Sequence, residues 1–141
     1  MHRKSKYYKL FIIILFFNNF CLGTDISQLD SLTKKYNQEY KDSNRVKLLI
    51  QISKKYEQAQ SDSSIKNLRK AIEIGENIQY YKGLSSAHNE LGIVFFYNFN
   101  YQQAIDNFLL SANYSEKNNS ISEKNNALFF VGVSYQYLGN Y

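Results

Sequence analysis

Residues 85–115 read SSAHNELGIVFFYNFNYQQAIDNFLLSANYS, and this stretch decides the fold. Its first half is strongly apolar up to Tyr97. A short polar turn follows at residues 98–100. In the second half, apolar residues recur three or four positions apart, which places them on one side of an α-helix. The stretch therefore predicts two helices, Ser85–Tyr97 and Tyr101–Ser115, joined by a tight turn.

The same helical spacing occurs on both sides of this stretch. It predicts further helices over residues 25–40, 45–58, 65–78 and 127–137. Polar or glycine-containing segments separate them, at residues 42–44, 60–64, 82–83 and 117–124. No segment alternates with the period of a strand, and a chain with no Pro and only six Gly is poorly suited to a β-sandwich. The predicted fold class is all-α.

An internal repeat appears when residues 85–124 are aligned with residues 45–84 and with residues 125–141. The matched pairs include Ala87 with Ala127, Leu91 with Val131, Gly92 with Gly132, Phe95 with Tyr135, and, in the other direction, Phe108 with Leu68 and Ser111 with Ala71. Small residues recur where two helices must approach closely, and large residues recur between them. A single helix–turn–helix unit cannot bury its own apolar stripe, so the repeat predicts stacked units.

The repeated residues resemble those of the tetratricopeptide family. The resemblance is carried by Leu91, Gly92, Phe95, Tyr101, Ala104, Phe108 and Ser111. It implies a right-handed α-solenoid with a leading helix and linker over 24–44 and repeats over 45–141, of which 45–84 is diverged, 85–124 clear and 125–141 truncated. The sequence departs from the family at Ser53, where Gly is expected. The family's closing Pro is absent, and the period of 40 exceeds the usual length of about 34.

The resemblance also implies a binding groove, because the first helices of such repeats line a concave face that holds peptides or partner helices. Mapped onto this sequence, the groove consists of Lys47, Lys54, Ser86, Asn89, Phe96, Tyr97, Asn126, Phe129 and Tyr137. Asn side chains can bind a peptide backbone, and aromatic rings can anchor an apolar side chain. The alternative for Ile93, Phe96 and Phe129 is that they belong to the core between repeats. The expected partner is a protein or peptide.

Composition excludes several other functions. Lys and Arg number 17 against 12 Asp and Glu, but four of the basic residues lie within the first nine, which leaves 13 against 12. A nucleic-acid partner is therefore not expected in this region. His2, His88 and Cys21 cannot supply a multi-His or thiolate metal site, and no Gly-rich phosphate loop occurs. His88 is expected to be a packing residue, and Glu73, Glu76, Glu116 and Glu123 are expected to be solvated. Neither enzymatic activity nor a cofactor is expected within these residues.

Residues 1–23 have the order of a secretory signal peptide. Basic residues precede the apolar run Leu10–Phe17, and the small residues Cys21 and Gly23 follow it. The run is too short for a typical spanning helix of about 20 apolar residues. We therefore expect an exported protein that is periplasmic, secreted or anchored facing outside the cytoplasm. An uncleaved anchor and a lipidated Cys21 are the alternatives, and membrane contact is expected only through an uncleaved leader or a downstream helix.

The last predicted repeat stops before its second helix. This indicates a fragment of a larger exported protein in which Ala127, Leu128, Val131 and Tyr135 lack a covering helix and Phe129 and Phe130 add to the uncovered surface. The alternative is a natural end that dimerises through this surface. Two functions follow from the resemblance. The first is a protein- or peptide-binding module that acts as a scaffold or sensor arm. The second is the sensor region of a membrane-bound signalling protein, a histidine kinase or DNA-binding regulator, whose effector domain lies outside this chain.

Overall fold

A computed structural model describes residues 27–56 and 61–139. Within these ranges the regular elements are helices and no strand occurs, which confirms the predicted all-α class. The helices are α1 (residues 27–38), α2 (Asp42–Ser53), α3 (Ser61–Asn77), α4 (Tyr81–Tyr97), α5 (Tyr101–Lys117) and α6 (Ile121–Leu138). None of these described helices is long and apolar enough to cross a membrane. The predicted leader and Tyr141 lie outside the described residues.

Helices α3 to α6 begin at evenly spaced positions, and three turns of the same geometry connect them. Each turn holds one residue in the left-handed region, with φ of 51° at Gln79, 61° at Phe99 and 56° at Asn119. In each turn the next backbone N–H donates to the carbonyl five residues earlier, at 2.8 to 2.9 Å. This is the Schellman arrangement that ends many helices, although none of the three left-handed residues is the usual glycine.

The predicted break at Lys82 and Gly83 is wrong. Both residues lie inside α4, and the chain turns at residues 78–80 instead. Gly83 is buried, and a Cβ atom at this position would collide with the ring of Tyr80 and lie 2.8 Å from Val46 Cγ1. Glycine therefore serves here for close helix packing and does not mark the end of an element.

Consecutive helices pack antiparallel. Between α4 and α5 the hydroxyl oxygens of Ser85 and Ser115 are 2.6 Å apart, and a Cβ at Gly92 would lie 2.7 Å from Phe108 Cε1. Between α5 and α6, the rings of Phe108 and Phe130 stack with centroids 5.2 Å apart. Each of these helices thus runs in the direction opposite to its neighbour, and this antiparallel packing gives a repeat-like arrangement.

Alternate helices also touch, since α2 contacts α4 and α4 contacts α6. We call these three helices the first-helix layer. Helix α3 packs against α2 and α4, helix α5 packs against α4 and α6, and the core lies where these helices meet. Its fully buried members include Val46, Leu49, Leu68, Ala71, Leu84, Ala87, Ala104, Ile105, Phe108 and Ala127.

Helix α6 has one packed side and one open side. Ala127 is fully buried against the rest of the fold, and Phe130 is half-buried on Phe108. The prediction that Ala127 and Phe130 belong to an uncovered surface is therefore wrong, because Ala127 is fully buried and the Phe130 ring lies against Phe108 of α5. Phe129 is 65% exposed and Tyr135 is 53% exposed, and no atom lies within 4 Å of a Cβ built at Gly132.

Candidate functional site

A stripe of side chains along α4 forms the centre of the candidate site. Ser86, Asn89, Ile93 and Tyr97 are three or four residues apart, so they lie on one side of the helix. Ser86, Asn89 and Ile93 are partly buried, and Tyr97 is 56% exposed. Two pockets open along this stripe, one between α2 and α4 and the other between α4 and α6. We call them the apolar pocket and the polar pocket.

The apolar pocket has a volume of about 230 Å³ and a lining that is mainly carbon. Ile93, Val94 and Tyr97 of α4 form one wall, and Tyr56, which follows α2, contributes to the other. Ser64 of α3 is buried and belongs to the floor. A cavity of this size and lining suits one apolar side chain of a ligand.

An ion pair separates the two pockets and lines both of them. Lys54 directly follows α2, and its Nζ lies 2.7 Å from Glu90 Oε1 of α4. The Lys54 side chain is about half exposed, whereas Glu90 is mostly covered. The pair therefore ties the neighbouring first-layer helices together at the surface, where solvent weakens the attraction. Because Lys54 is paired with Glu90, its positive charge is already neutralised.

The polar pocket lies between α4 and α6 and has a volume of about 120 Å³. Ser86 and Asn89 of α4 face Glu123 and Asn126 of α6 across it. The floor is made by serines, Ser85 of α4 and Ser111 of α5, which are both buried. Oxygen atoms of carboxylates, amides and hydroxyls therefore converge on this small space.

A buried chain of hydroxyls supports that floor. The Ser85 Oγ lies 2.6 Å from the Ser115 Oγ and 3.4 Å from the Ser111 Oγ. Because all three serines are almost fully buried, their hydroxyls need hydrogen-bond partners, and they provide them for each other. The short serine side chains also let α4 and α5 approach closely, which fixes the depth of the pocket.

Glu123 is the unusual member of the polar pocket. Its Oε2 atom is buried, with less than 1 Å² of accessible surface, and has no hydrogen-bond partner. None of the ion pairs among the described residues includes Glu123. The expectation that Glu123 is solvated is wrong for this oxygen, because Oε2 has almost no accessible surface. A buried acceptor without a partner is unfavourable and rare.

The structure brings five of the nine groove residues predicted from the sequence to the two pockets. Lys54, Ser86, Asn89 and Asn126 line the polar pocket, and Lys54 and Tyr97 line the apolar pocket. Lys47 is exposed elsewhere, in a shallow depression between α1 and α2.

The other three predicted groove residues are aromatic, and all of them contact other rings. Phe96 lies edge-on to Tyr137, with centroids 5.4 Å apart, and also contacts Tyr101 and Tyr97. Phe129 contacts Phe130 edge-on at 5.6 Å. Phe96 and Tyr137 therefore hold α4, α5 and α6 together at one end, and they lie outside both pockets.

His88 lies away from the pockets and is 7% exposed, which confirms that it is a packing residue. Its Nδ1 is 3.1 Å from Asn107 Oδ1, and the Asn107 amide donates to the Gln103 carbonyl at 2.8 Å. That second bond orients the amide, so His88 Nδ1–H is the donor. The ring also stacks on Tyr114, with centroids 5.6 Å apart. Burial lowers the pKa of His88 below its usual value, and Asn107 and Glu76 offset only part of this effect.

No cluster of three or more His, Cys, Asp or Glu among residues 27–56 and 61–139 could hold a metal ion.

Sequence reasoning missed two carboxylates of the site, Glu90 and Glu123, and the buried Ser85 and Ser111. One signal could have found Glu123, because the alignment that pairs the repeats places it at the same repeat position as Gly83. Since Gly83 is pressed against the neighbouring helices, the same position on α6 faces inward.

Comparison with known proteins identifies no relative. The chain matches no family model, and no curated protein or solved structure is significantly similar to it.

Proposed function

We propose that the chain is an exported, protein- or peptide-binding module built as a right-handed solenoid of tetratricopeptide-like repeats. In this proposal an extended peptide lies across the first-helix layer and runs over α2, α4 and α6. The observation that supports it most strongly is the pairing of an apolar and a polar pocket along one stripe of α4. Binding sites in proteins commonly combine an apolar cavity with a few convergent polar groups.

The two pockets along the stripe would have different roles in peptide binding. The apolar pocket would accept one apolar side chain, with Tyr97 as a rigid aromatic wall beside Ile93. Asn89 would bind the peptide backbone, because an amide side chain both donates and accepts hydrogen bonds. The ion pair of Lys54 and Glu90 would hold the two pockets at a fixed separation.

Peptide selection tests this function because it needs no identified partner. A random displayed library is selected on the full chain, and the affinity of the enriched peptides is measured by fluorescence anisotropy. We expect Tyr97→Ala to weaken binding about tenfold, a loss of about 1.4 kcal/mol. Asn89→Ala should also weaken binding. Helical circular dichroism should be unchanged in both variants, because Tyr97 is more than half exposed and Asn89 lies at the rim of a pocket.

Tyr135→Ala provides a matched control. Tyr135 is exposed to nearly the same extent, 53% against 56% for Tyr97, but lies on the open side of α6 and lines neither pocket. Equal affinity for wild type and Tyr135→Ala, with loss in Tyr97→Ala, supports the proposal. Failure to enrich any peptide, or enriched peptides that bind Tyr97→Ala as well as wild type, contradicts it.

A further inference from the structure

We infer that the polar pocket between α4 and α6 binds a primary ammonium group, such as a lysine side chain or the N-terminal amine of a bound peptide. The inference rests on the proposed function, since it names the chemistry of the second pocket in the same groove. Its structural basis is the convergence of the Glu123 carboxylate with Ser86, Asn89 and Asn126 around a small cavity.

Charge favours a cation in this pocket. Lys54 and Glu90 neutralise each other at 2.7 Å, so Glu123 supplies the uncompensated charge of the lining. The nearest lysine in sequence, Lys124, is engaged by Glu116 at 3.0 Å. A positively charged donor in the pocket would therefore meet one unpaired carboxylate, and charge-assisted hydrogen bonds are about twice as strong as neutral ones.

Hydrogen-bonding capacity points to the same ligand. An ammonium group has three N–H donors and no acceptor. The pocket is lined by Glu123, Asn89, Asn126 and Ser86, and each of these side chains carries at least one oxygen acceptor. The Glu123 carboxylate, whose Oε2 is buried without a partner, is not engaged by a donor of the protein, so an ammonium group would bind at the side of this carboxylate that lines the pocket.

Size restricts the ligand further. The cavity has a volume of about 120 Å³, which accepts an ammonium head and the methylene groups next to it. A divalent cation is disfavoured because Glu90 is already paired and only one carboxylate is free, whereas protein calcium sites typically use several.

A structural role for Glu123 is the competing explanation. Glu123 lies in the first turn of α6, where a carboxylate interacts favourably with the helix dipole. If that were its whole role, Glu123→Gln would reduce stability slightly and leave ligand binding unchanged. The test must therefore measure ligand binding directly.

The probe is n-butylammonium, and n-butanol is its uncharged counterpart. Each is titrated into the ¹⁵N-labelled full chain and followed by NMR chemical shifts. We expect saturable shifts at Ser86, Asn89 and Asn126 with n-butylammonium and none with n-butanol. Glu123→Gln should raise the Kd about tenfold, which corresponds to about 1.4 kcal/mol. Glu73→Gln is the control for net charge, because Glu73 is exposed on α3 and lines neither pocket.

A second variant changes affinity in the opposite direction. Asn126→Asp adds a carboxylate to the pocket and should tighten n-butylammonium binding, whereas Asn125→Asp, at the neighbouring exposed position, should not. Equal affinities for wild type, Glu123→Gln and Asn126→Asp would overturn the inference. Shifts distributed over all surface carboxylates, equally in Glu73→Gln and Glu123→Gln, would also overturn it.

Peptide binding is a separate readout, so the two proposals can fail separately. If selected peptides bind and n-butylammonium does not, the ammonium pocket is wrong and the groove stands. If n-butylammonium binds and no peptide is selected, the ammonium pocket stands and the peptide groove is wrong. For selected peptides that contain lysine, ε-acetylation and N-terminal acetylation distinguish the two sources of the ammonium group, since only the modification at the bound amine should weaken binding.

Discussion

Replacing Gly92 by alanine should destabilise the fold, whereas the same replacement at Gly132 should stabilise it. The two glycines occupy the same position of successive repeats. At Gly92 the new Cβ would lie 2.7 Å from Phe108 Cε1 and 2.8 Å from Phe108 Cδ1. At Gly132 no atom lies within 4 Å of it.

The expected magnitudes follow from two opposing effects. Alanine favours a helix over glycine by about 1 kcal/mol, and this gain applies at both positions. Overpacking a well-filled core costs about 1–3 kcal/mol. The cost at Gly92 should lie in the upper part of that range, because the Phe108 ring is fully buried and stacked on Phe130 and has little room to move. We therefore expect a net loss of about 1–2 kcal/mol for Gly92→Ala and a net gain of about 0.5–1 kcal/mol for Gly132→Ala.

Urea unfolding of the full chain, followed by far-UV circular dichroism, measures both effects. The double variant Gly92→Ala with Phe108→Leu should lose less stability than the sum of the two single variants, because the smaller side chain leaves space for the new methyl group. If Gly92→Ala stabilises the protein, the packing described between α4 and α5 is wrong. If Gly132→Ala destabilises it as much as Gly92→Ala, position 132 is covered in solution, and the open side of α6 is wrong.

Three further predictions test other features of the fold. Gln79→Gly should raise stability by about 0.5–1 kcal/mol, because glycine tolerates the left-handed conformation of this residue. The control Gln102→Gly, at an exposed helical residue, should lower stability by about 1 kcal/mol, and urea unfolding midpoints compare the two variants. Burial lowers the pKa of His88, so the unfolded chain binds more protons than the folded chain when the pH drops below about 6.5. The free energy of unfolding should therefore fall below this pH, by at most about 1.4 kcal/mol per pH unit from this residue. His88→Gln should reduce the difference in unfolding free energy between neutral and mildly acidic pH, and an unchanged difference would contradict the burial of His88. Joining a copy of Tyr101–Lys117 after α6 through a short turn should stabilise the protein by about 2 kcal/mol by covering Leu128 and Tyr135; an unchanged melting temperature would show that this side of α6 does not accept a helix.

The helices can be predicted from sequence because their apolar spacing is strong and local. The turn after Tyr97 is predictable because Asn98 and Asn100 break the apolar run. The turn at residues 78–80 escapes prediction because its left-handed residue is Gln79, which carries no turn signal of its own. Gly83 gives a misleading signal, since glycine also marks close packing.

The candidate site is only partly predictable for a different reason. Lys54 and Asn89 can be placed on the first-helix layer because the repeat register fixes the direction of each side chain. The pairing of Lys54 with Glu90 depends on two helices that are distant in sequence, and no local pattern reveals it. The burial of Glu123 Oε2 depends on the packing of α6 in the fold, and the apolar spacing of α6 alone does not reveal it.

The central claim is that a peptide binds across the first-helix layer at the two pockets. NMR mapping tests it most directly, by adding a library-selected peptide to the ¹⁵N-labelled full chain and locating the amide groups whose shifts change. We expect the largest changes at Lys54, Asn89 and Tyr97, which line the pockets. Changes concentrated instead at Leu128 and Tyr135 on the open side of α6, or spread evenly over the surface, would contradict this binding mode.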